Sequence, residues 1–482
     1  MGESVLFLAV GGILALSIVI AFGASRIGIP TLVAFLALGM LLGSDGIAGI
    51  DFHNVELART IGTVALVAIL FEGGLSTSWR RLRQVAIPAS SLSIIGVAVT
   101  ALLVGVVSHS IFGLPWLESF LLGAVVSSTD AAAVFSTLRF TNIKLRLART
   151  LEAETGINDP MAIALTIALI SWIQSPTYNF SDFASLLIQQ IGLGLVVGLG
   201  MGILATWIFS RLPTSVGSFA PVASIAAGAL AFGVADALNG SGFLSVYLVG
   251  LAIGSTPSRY RHQFVTFHEG LAFLSQVVLF IVLGLLIVPK DLVPIAVSSL
   301  ILAVILILFI RPLAVWSSIP AGRFSIREKT LLGWAGLRGA VPIVLGTFVL
   351  SSEVASKNTI FNIVFFVVVV SALIQGTTLE RVANMLGVVE KPKKPGFKPE
   401  PRLAEDQTIE FAVNETHSIN GAKIKEIGLP RKALVSEVIR GSKHLSPERD
   451  LKLEEDDKII IKAPSNIRPE IEDVMSRWRR RV

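Results

Sequence analysis

The side chains best suited to holding a small cation lie in one short stretch. Leu151–Thr166, reading LEAETGINDPMAIALT, carries Glu152, Glu154, Thr155, Asn158 and Asp159 inside an otherwise apolar run. Ionisable groups within a bilayer are expensive, and by default they mark a path for ions or protons. At helical spacing Thr155 and Asp159 share one face, while Glu154 and Asn158 share the neighbouring face, about 100° round. Pro160 has no N–H, so it frees the carbonyl of Gly156 one turn earlier. A buried acid, an amide, a hydroxyl and a loose carbonyl are the ligands a desolvated monovalent cation needs.

Two further clusters interrupt apolar runs. SSTDAAAV, Ser127–Val134, offers hydroxyls that compete with helical hydrogen bonds and favour a break. GLRGAVP, Gly336–Pro342, flanks Arg338 with two glycines and a proline. A plain reading makes both of them packing kinks with a structural ion pair, but kinks alone require neither Asp nor Arg. A lone buried guanidinium costs several kcal/mol, so Arg338 needs a partner. The candidates are Glu72, Asp130, Glu154 and Asp159, with Glu152 nearer one end of its span. Glu154 is the expected partner, which leaves Asp159 free to exchange its counter-ion. Glu72, in ILFEGGL, reads equally as a second ligand, a gate or a proton-bearing structural acid. Asp236 and Gln276 read as structural.

The elements that must position these groups are membrane helices. Of 482 residues, 53% are hydrophobic and only 15% charged, and the mean hydropathy is +0.74. A soluble protein of this size could not solvate such a surface. The absence of cysteine excludes disulfides, thiolate metal sites and cysteine nucleophiles. The net charge of +6 does not point to nucleic acid, because the basic residues sit in short loops between apolar runs. At roughly 20 apolar residues per span, about thirteen spans fit, near 4–23, 29–48, 58–75, 84–112, 116–138, 145–173, 184–210, 217–237, 242–256, 266–288, 293–318, 328–350 and 359–386. The first run, Val5–Phe22, lacks a basic leader and reads as a retained span. Alternate loops carry Arg26, Arg80–Arg83, Arg139–Arg146, Arg211, Arg259–Arg261 and Arg323–Lys329, against only Arg59, Lys290 and Lys357 on the other side. The positive-inside rule then puts the N-terminus outside and the C-terminus in the cytoplasm of a multi-pass cell-membrane protein.

The chain also repeats itself at an offset of about 210 residues, a habit of transporters. LALGMLLGS (36–44) resembles YLVGLAIGS (247–255), LFEGGL (70–75) matches IVLGLL (281–286), and LLGAVVSSTDAAAV (121–134) matches LLGWAGLRGAVPIV (331–344). An offset of seven spans makes these inverted units of about six spans each, near 1–175 and 215–388, and such repeats hold substrate near the midplane on crossed broken helices. After the membrane region (1–388) comes KPKKPGFKPEPR within a Pro/Lys linker at 389–403. Residues 404–465 alternate like a small cytoplasmic α/β unit, with strands at 409–413 and 458–463 and a helix at 420–428. The segment 466–482 is expected as a basic tail, helical over 469–482, whose Arg477, Trp478 and Arg479–Arg481 either touch anionic lipid or, at least as readily, form a solvated end.

SSTDAAAVFSTLR, GINDP, GLRGAVPIVLGT and FEGGL resemble the motifs of the monovalent cation/proton antiporter family, over roughly residues 1–388. The resemblance implies Asp159 as the carboxylate that binds ion and proton, with neutral Asn158 beside it. It also implies cation ligands from Thr129 (through its main-chain carbonyl), Thr155 and Glu72, and charge compensation of half-helix ends by Asp130 and Arg338. The pair Asn158–Asp159, in place of two aspartates, resembles the electroneutral branch. GAKIKEIGLP, ALVSEVIRG and LEEDDKIII resemble the TrkA-C (RCK-C) regulatory module of potassium transporters and channels. Such modules pair and bind a small ligand, which implies a homodimer and a regulatory nucleotide, and tilts the cargo from Na⁺ towards K⁺.

Taking a carboxylate out of water favours its neutral form, so Asp159 is expected to hold a proton or a cation, not both. Obligatory exchange follows if the bundle reorients only when Asp159 is neutralised. The expected function is antiport of cytoplasmic K⁺, or alternatively Na⁺ or Li⁺, against H⁺, with no cofactor and no resident metal. A regulated channel is a remoter alternative, since no TVGYG-like filter is present. An intramembrane enzyme is disfavoured by the lack of HExxH, and the six histidines are expected mostly at loops.

Overall fold

The computed structural model describes all residues except 1–2, 28–29, 139–142, 176, 212–218, 257–260, 321, 390–405, 416, 431–432, 442, 465–466 and 479–482. The chain divides into two compact units, Met1–Lys391 and Pro392–Val482.

The first unit is helical throughout. In chain order it contains α1 (Glu3–Ile27), α2 (Thr31–Leu42), α3 (Val55–Ser76), α4 (Trp79–Ser91), α5 (Val97–Phe112), α6 (Trp116–Val125), α7 (Ala131–Thr137), α8 (Leu145–Gln174) and α9 (Phe180–Arg211). There follow α10 (Ala220–Ala237), α11 (Gly242–Ser255), α12 (Arg261–Leu285), α13 (Pro289–Leu292), α14 (Ala296–Ile305), α15 (Arg311–Ser318), α16 (Ile326–Trp334), α17 (Ala340–Leu350) and α18 (Lys357–Met385). Among the described residues 7 helical stretches are long and apolar enough to cross a membrane. The unit is therefore a multi-pass membrane domain.

Three local features depart from plain helix. A π-helical turn at Leu92–Gly96 joins α4 to α5, and another at Leu306–Ile310 joins α14 to α15. Pro312 cannot donate to the carbonyl of Leu308, in the middle of the second turn, which loosens the ladder there. The two apolar runs 116–138 and 328–350 are each broken, between α6 and α7 and between α16 and α17.

Helices α2 and α12 pack together, as do α3 and α11. Both crossings are made through glycine. A Cβ at Gly39 would meet the backbone of Ile281 and Gly284, and one at Gly250 would meet the backbone of Phe71 and Leu75. Side chains are absent where these backbones touch, so no rotamer separates them.

The second unit is a four-stranded antiparallel sheet in the order β1-β4-β2-β3, with β1 (Asp406–Ala412), β2 (Leu434–Arg440), β3 (Lys443–Leu445) and β4 (Lys458–Pro464). The helix expected over 420–428 is only a short 3-10 turn, Ile424–Glu426. Gly421 (φ 81°) and Gly428 (φ 71°) bracket it in left-handed conformations, leaving too few residues to nucleate an α-helix. The helix expected in the basic tail is present, but its apolar side is buried rather than solvated or lipid-facing. Helix α19 (Arg468–Trp478) buries Ile471, Val474, Met475 and Trp478 in the same core as Ile459, Ile461 and Val438. Trp478 donates its indole N–H to the Ile427 carbonyl at 2.7 Å. Of the expected linker, residues 390–403 lie outside the described residues, as do Arg479–Arg481.

Candidate functional site

The two helix breaks meet. The Asp130 amide donates to the Leu337 carbonyl at 2.8 Å. The Arg338 Nη1 donates to the carbonyls of Ser127 (2.6 Å) and Ser128 (2.7 Å), two and three residues past the end of the α6 half-helix. The guanidinium thus lies beyond the negative end of the α6 dipole, where its charge is favoured. Asp130 caps the opposite half, accepting from the Ala133 amide at 3.1 Å. Gly339 is required at the crossing, because a Cβ there would fall on the Asp130 carboxylate.

Helix α8 passes beside this crossing, and its two polar faces do different work. Asp159 and Thr155 border a cavity of about 330 Å³, together with Ser128, Asp130, Glu72, Glu152, Gln276 and Tyr247. Asp159 accepts from the Ser128 hydroxyl at 2.5 Å, and Thr155 accepts from the Ala131 amide at 3.0 Å. Glu72 accepts from Ser76 at 2.6 Å. Glu154 and Asn158 do not border the cavity. The Asn158 carboxamide donates to the Thr129 hydroxyl at 2.6 Å, holding the broken segment against α8. Pro160 lies within α8 as expected, and a Cβ at Gly156 would meet the Tyr247 hydroxyl.

The expected pairing of Glu154 with Arg338 is corrected. Glu154 Oε1 accepts from Arg311 Nη2 at 2.6 Å, with side-chain exposures of 1% and 3%. Arg338 is instead held through Nη1 by main-chain carbonyls, and both Arg311 and Glu154 bear on it electrostatically. Geometry explains the choice. Glu154 projects from α8 towards Arg311 at the start of α15, and Gly336 lets the Arg311 side chain lie against the second break. His268 also departs from the loop setting expected of the histidines. It is 2% exposed within α12, with Nε2 2.8 Å from the Ser224 hydroxyl. Asp236 is exposed and takes no part, whereas Gln276 faces the cavity.

A cavity walled by oxygen donors at a crossing of two broken helices suits a desolvated cation. Comparison with known proteins decides the family. The model for "Sodium/hydrogen exchanger, transmembrane" matches residues 13–385. The chain belongs to the sodium/hydrogen exchanger family. It is a cation/proton antiporter, not an enzyme. The exchanger carries a TrkA-C domain over residues 408–476, a span that includes most of α19. It is 38% identical over 465 residues to a K(+)/H(+) antiporter NhaP2 of Shewanella baltica, covering 94% of this chain and 80% of the relative. It is 37% identical to a K(+)/H(+) antiporter NhaP of Alkalimonas amylolytica, over 97% of this chain and 83% of that one. The solved sodium proton antiporter MjNhaP1 of Methanocaldococcus jannaschii shares the fold, with a TM-score of 0.70 and 24% identity over 79% of this chain and 99% of that one.

Sequence reasoning missed two participants in this exchanger. Arg311 is a cation deep in the apolar run 293–318, and the rule that singles out Arg338 applies to it equally. Ser128 stands in the SSTD cluster and was read only as a breaker of helix. Its hydroxyl is the hydrogen-bond donor to Asp159.

Proposed function

We propose that this exchanger moves cytoplasmic K⁺ out against protons, one for one, through alternating access at Asp159. The observation that carries the reading is the division of charge along α8. Glu154 is neutralised by Arg311 and Asn158 is uncharged, while Asp159 borders the cavity with, among the described residues, the Ser128 hydroxyl as its hydrogen-bond partner. Asp130 is committed as a helix cap. Thr155 and Glu72 border the cavity and complete the proposed ligand set with Asp159, while Asn158 and Thr129, expected in that set, stand behind the wall bonded to each other, and Arg338, Asp130 and Glu154 compensate structural charge. Ser128 and Thr155 lie close enough to share the cation. One carboxylate that takes either H⁺ or K⁺ transfers no net charge.

Potassium is preferred to sodium because both the NhaP2 and NhaP relatives are named K(+)/H(+) antiporters. A Na⁺ or Li⁺ reading draws support from a Na(+)/H(+) antiporter ApNhaP of Aphanothece halophytica, 28% identical over 71% of this chain. The proposal extends to about thirteen spans in two inverted repeats. Support comes from the swapped glycine crossings and from the two π-helical turns, which begin at Leu92 and Leu306, again about 210 residues apart. It also includes a membrane domain over 1–388, a regulatory domain from 404, an N-terminus outside, a homodimer, and control by a small cytoplasmic ligand such as a nucleotide. The role is pH and cation homeostasis.

The test is proton flux in proteoliposomes given K⁺, Na⁺ or Li⁺. Asp159→Asn should abolish exchange while the protein remains monodisperse. One net charge per cycle would add about 2.3 kcal/mol of drive per 100 mV. A marked change of exchange rate on imposing a membrane potential therefore rejects the one-for-one stoichiometry, and normal transport by Asp159→Asn rejects the site.

A further inference from the structure

Where α18 ends, the chain does not simply leave the membrane unit. Gly387 adopts φ 64°, and the Val388 amide closes onto the Ala383 carbonyl, a left-handed helix stop that turns the chain back. Val389 then forms an antiparallel bridge with Ile143, and the Val388 carbonyl accepts from the Lys144 amide at 3.1 Å. Val388 and Ile143 are both buried in the main core. Lys144 is the N-cap of α8 and has no side-chain cap bond of its own. Its carbonyl accepts from the amides of Leu147 and Ala148, starting the helix that carries Asp159. Its ammonium meets Glu328 at 2.9 Å, and Glu328 forms the capping box of α16, the half-helix that leads to Arg338.

We infer that this strap, residues 143–144 bridged to 388–389, is the element through which the C-terminal unit controls exchange. The inference rests on the regulatory reading of that unit given above. Val389 begins the linker, so the strap is tied to the C-terminal unit through the chain itself. A displacement of Val389 by one strand residue, about 3.3 Å, breaks the Lys144–Val388 bond and removes the support of the first turn of α8. The same displacement reaches α16 through Lys144 and Glu328. Load arriving by the linker thus acts on α8, which carries Asp159, and on α16, which leads to Arg338.

The exchanger has no cysteine, so Ile143→Cys with Val389→Cys introduces its only thiols. Facing residues of an antiparallel bridge lie about 4.5–5.5 Å apart at Cα, within disulfide range. A site-specific protease sequence is placed within residues 394–400 of the full chain, and initial exchange rates in proteoliposomes are read before and after cleavage. In the reduced pair, cleavage should change the rate by about fivefold or more, the lower end of ordinary coupling between sites. In the oxidised pair it should change nothing, and reductant should restore the effect. Lys144→Pro deletes the strap amide at a residue whose φ of −49° suits proline. Its uncleaved rate should equal that of the cleaved parent, whereas Lys144→Met, which keeps the amide, should stay nearer the uncleaved parent. A cleavage effect that survives the disulfide overturns the strap while leaving regulation intact. Absence of any cleavage effect in the reduced protein overturns the regulatory reading and the strap with it.

Discussion

Removing either member of the Glu154–Arg311 pair should harm the protein unequally, and removing both should largely repair it. The charges sit at 2.6 Å with side-chain exposures of 1% and 3%. With charge centres about 4 Å apart and an effective dielectric near 20, their attraction is about 4 kcal/mol. That figure is offset by desolvation of both ions, so the pair adds little net stability, whereas one survivor left alone costs about 3–5 kcal/mol. The two survivors differ. Glu154→Gln leaves Arg311 facing the charge of Arg338, which already feels it. Arg311→Met leaves Glu154 within the field of Arg338, a partial substitute partner. We therefore expect losses of about 5 kcal/mol for Glu154→Gln, about 3 for Arg311→Met and about 1 for the double variant. Unfolding titrations in mixed micelles give the three values. A double variant no more stable than either single one refutes the pairing, and Glu154→Gln milder than Arg311→Met refutes the role assigned to Arg338.

Ser128→Ala removes the donor to Asp159, and should raise the half-saturating cation concentration by about tenfold, the worth of one hydrogen bond to a charged group. Equal half-saturation in parent and variant would exclude Ser128 from the site. Gly339→Ala should drive the two broken helices apart at Asp130, costing about 1–3 kcal/mol and most of the exchange rate, as measured by thermal stability and proton flux. In the C-terminal unit, Asp457 is fully buried and accepts from Arg440 Nε and Nη2 and from the Glu454 amide, each at 2.8 Å. Asp457→Ala should lower the stability of that unit by about 2–4 kcal/mol, seen as local protease sensitivity of the full chain.

Much of the site is legible in one dimension because a membrane makes polar residues conspicuous. Asp130, Glu154, Asp159 and Arg338 stand out against apolar runs, and helical spacing alone separates the Thr155–Asp159 face from the Glu154–Asn158 face. The structure places only the first of these two faces on the cavity. Which acid neutralises which arginine is different in kind. Glu154 and Arg311 are 157 residues apart, and only the tertiary fold, with Gly336 leaving room for the Arg311 side chain, brings them together. Arg311, inside the run 293–318, was within reach of the rule applied to Arg338 and was missed. In the C-terminal unit alternation reveals two of the four strands, β1 and β4, and not β2 and β3. The 420–428 segment reads as helix from composition, and two glycines with positive φ override that reading. The amphipathic α19 has basic residues that suggest a solvated tail, yet its apolar stripe completes the sheet's core.

The glycine crossings carry a mechanical consequence. Where α2 meets α12 and α3 meets α11, main chain bears directly on main chain, and no side chain can change rotamer to let the helices slide. These four helices are a frame of fixed width, stiff in the way a welded joint is stiff. A cycle that exposes Asp159 first to one side and then to the other must find its travel elsewhere, along surfaces faced with side chains that can re-pack. Helix α8 meets this frame through few neighbours, the Gly156–Tyr247 contact among them. The speed of exchange is then set by how smoothly that bearing surface runs, and enlarging Gly156 should jam the cycle while leaving the frame untouched.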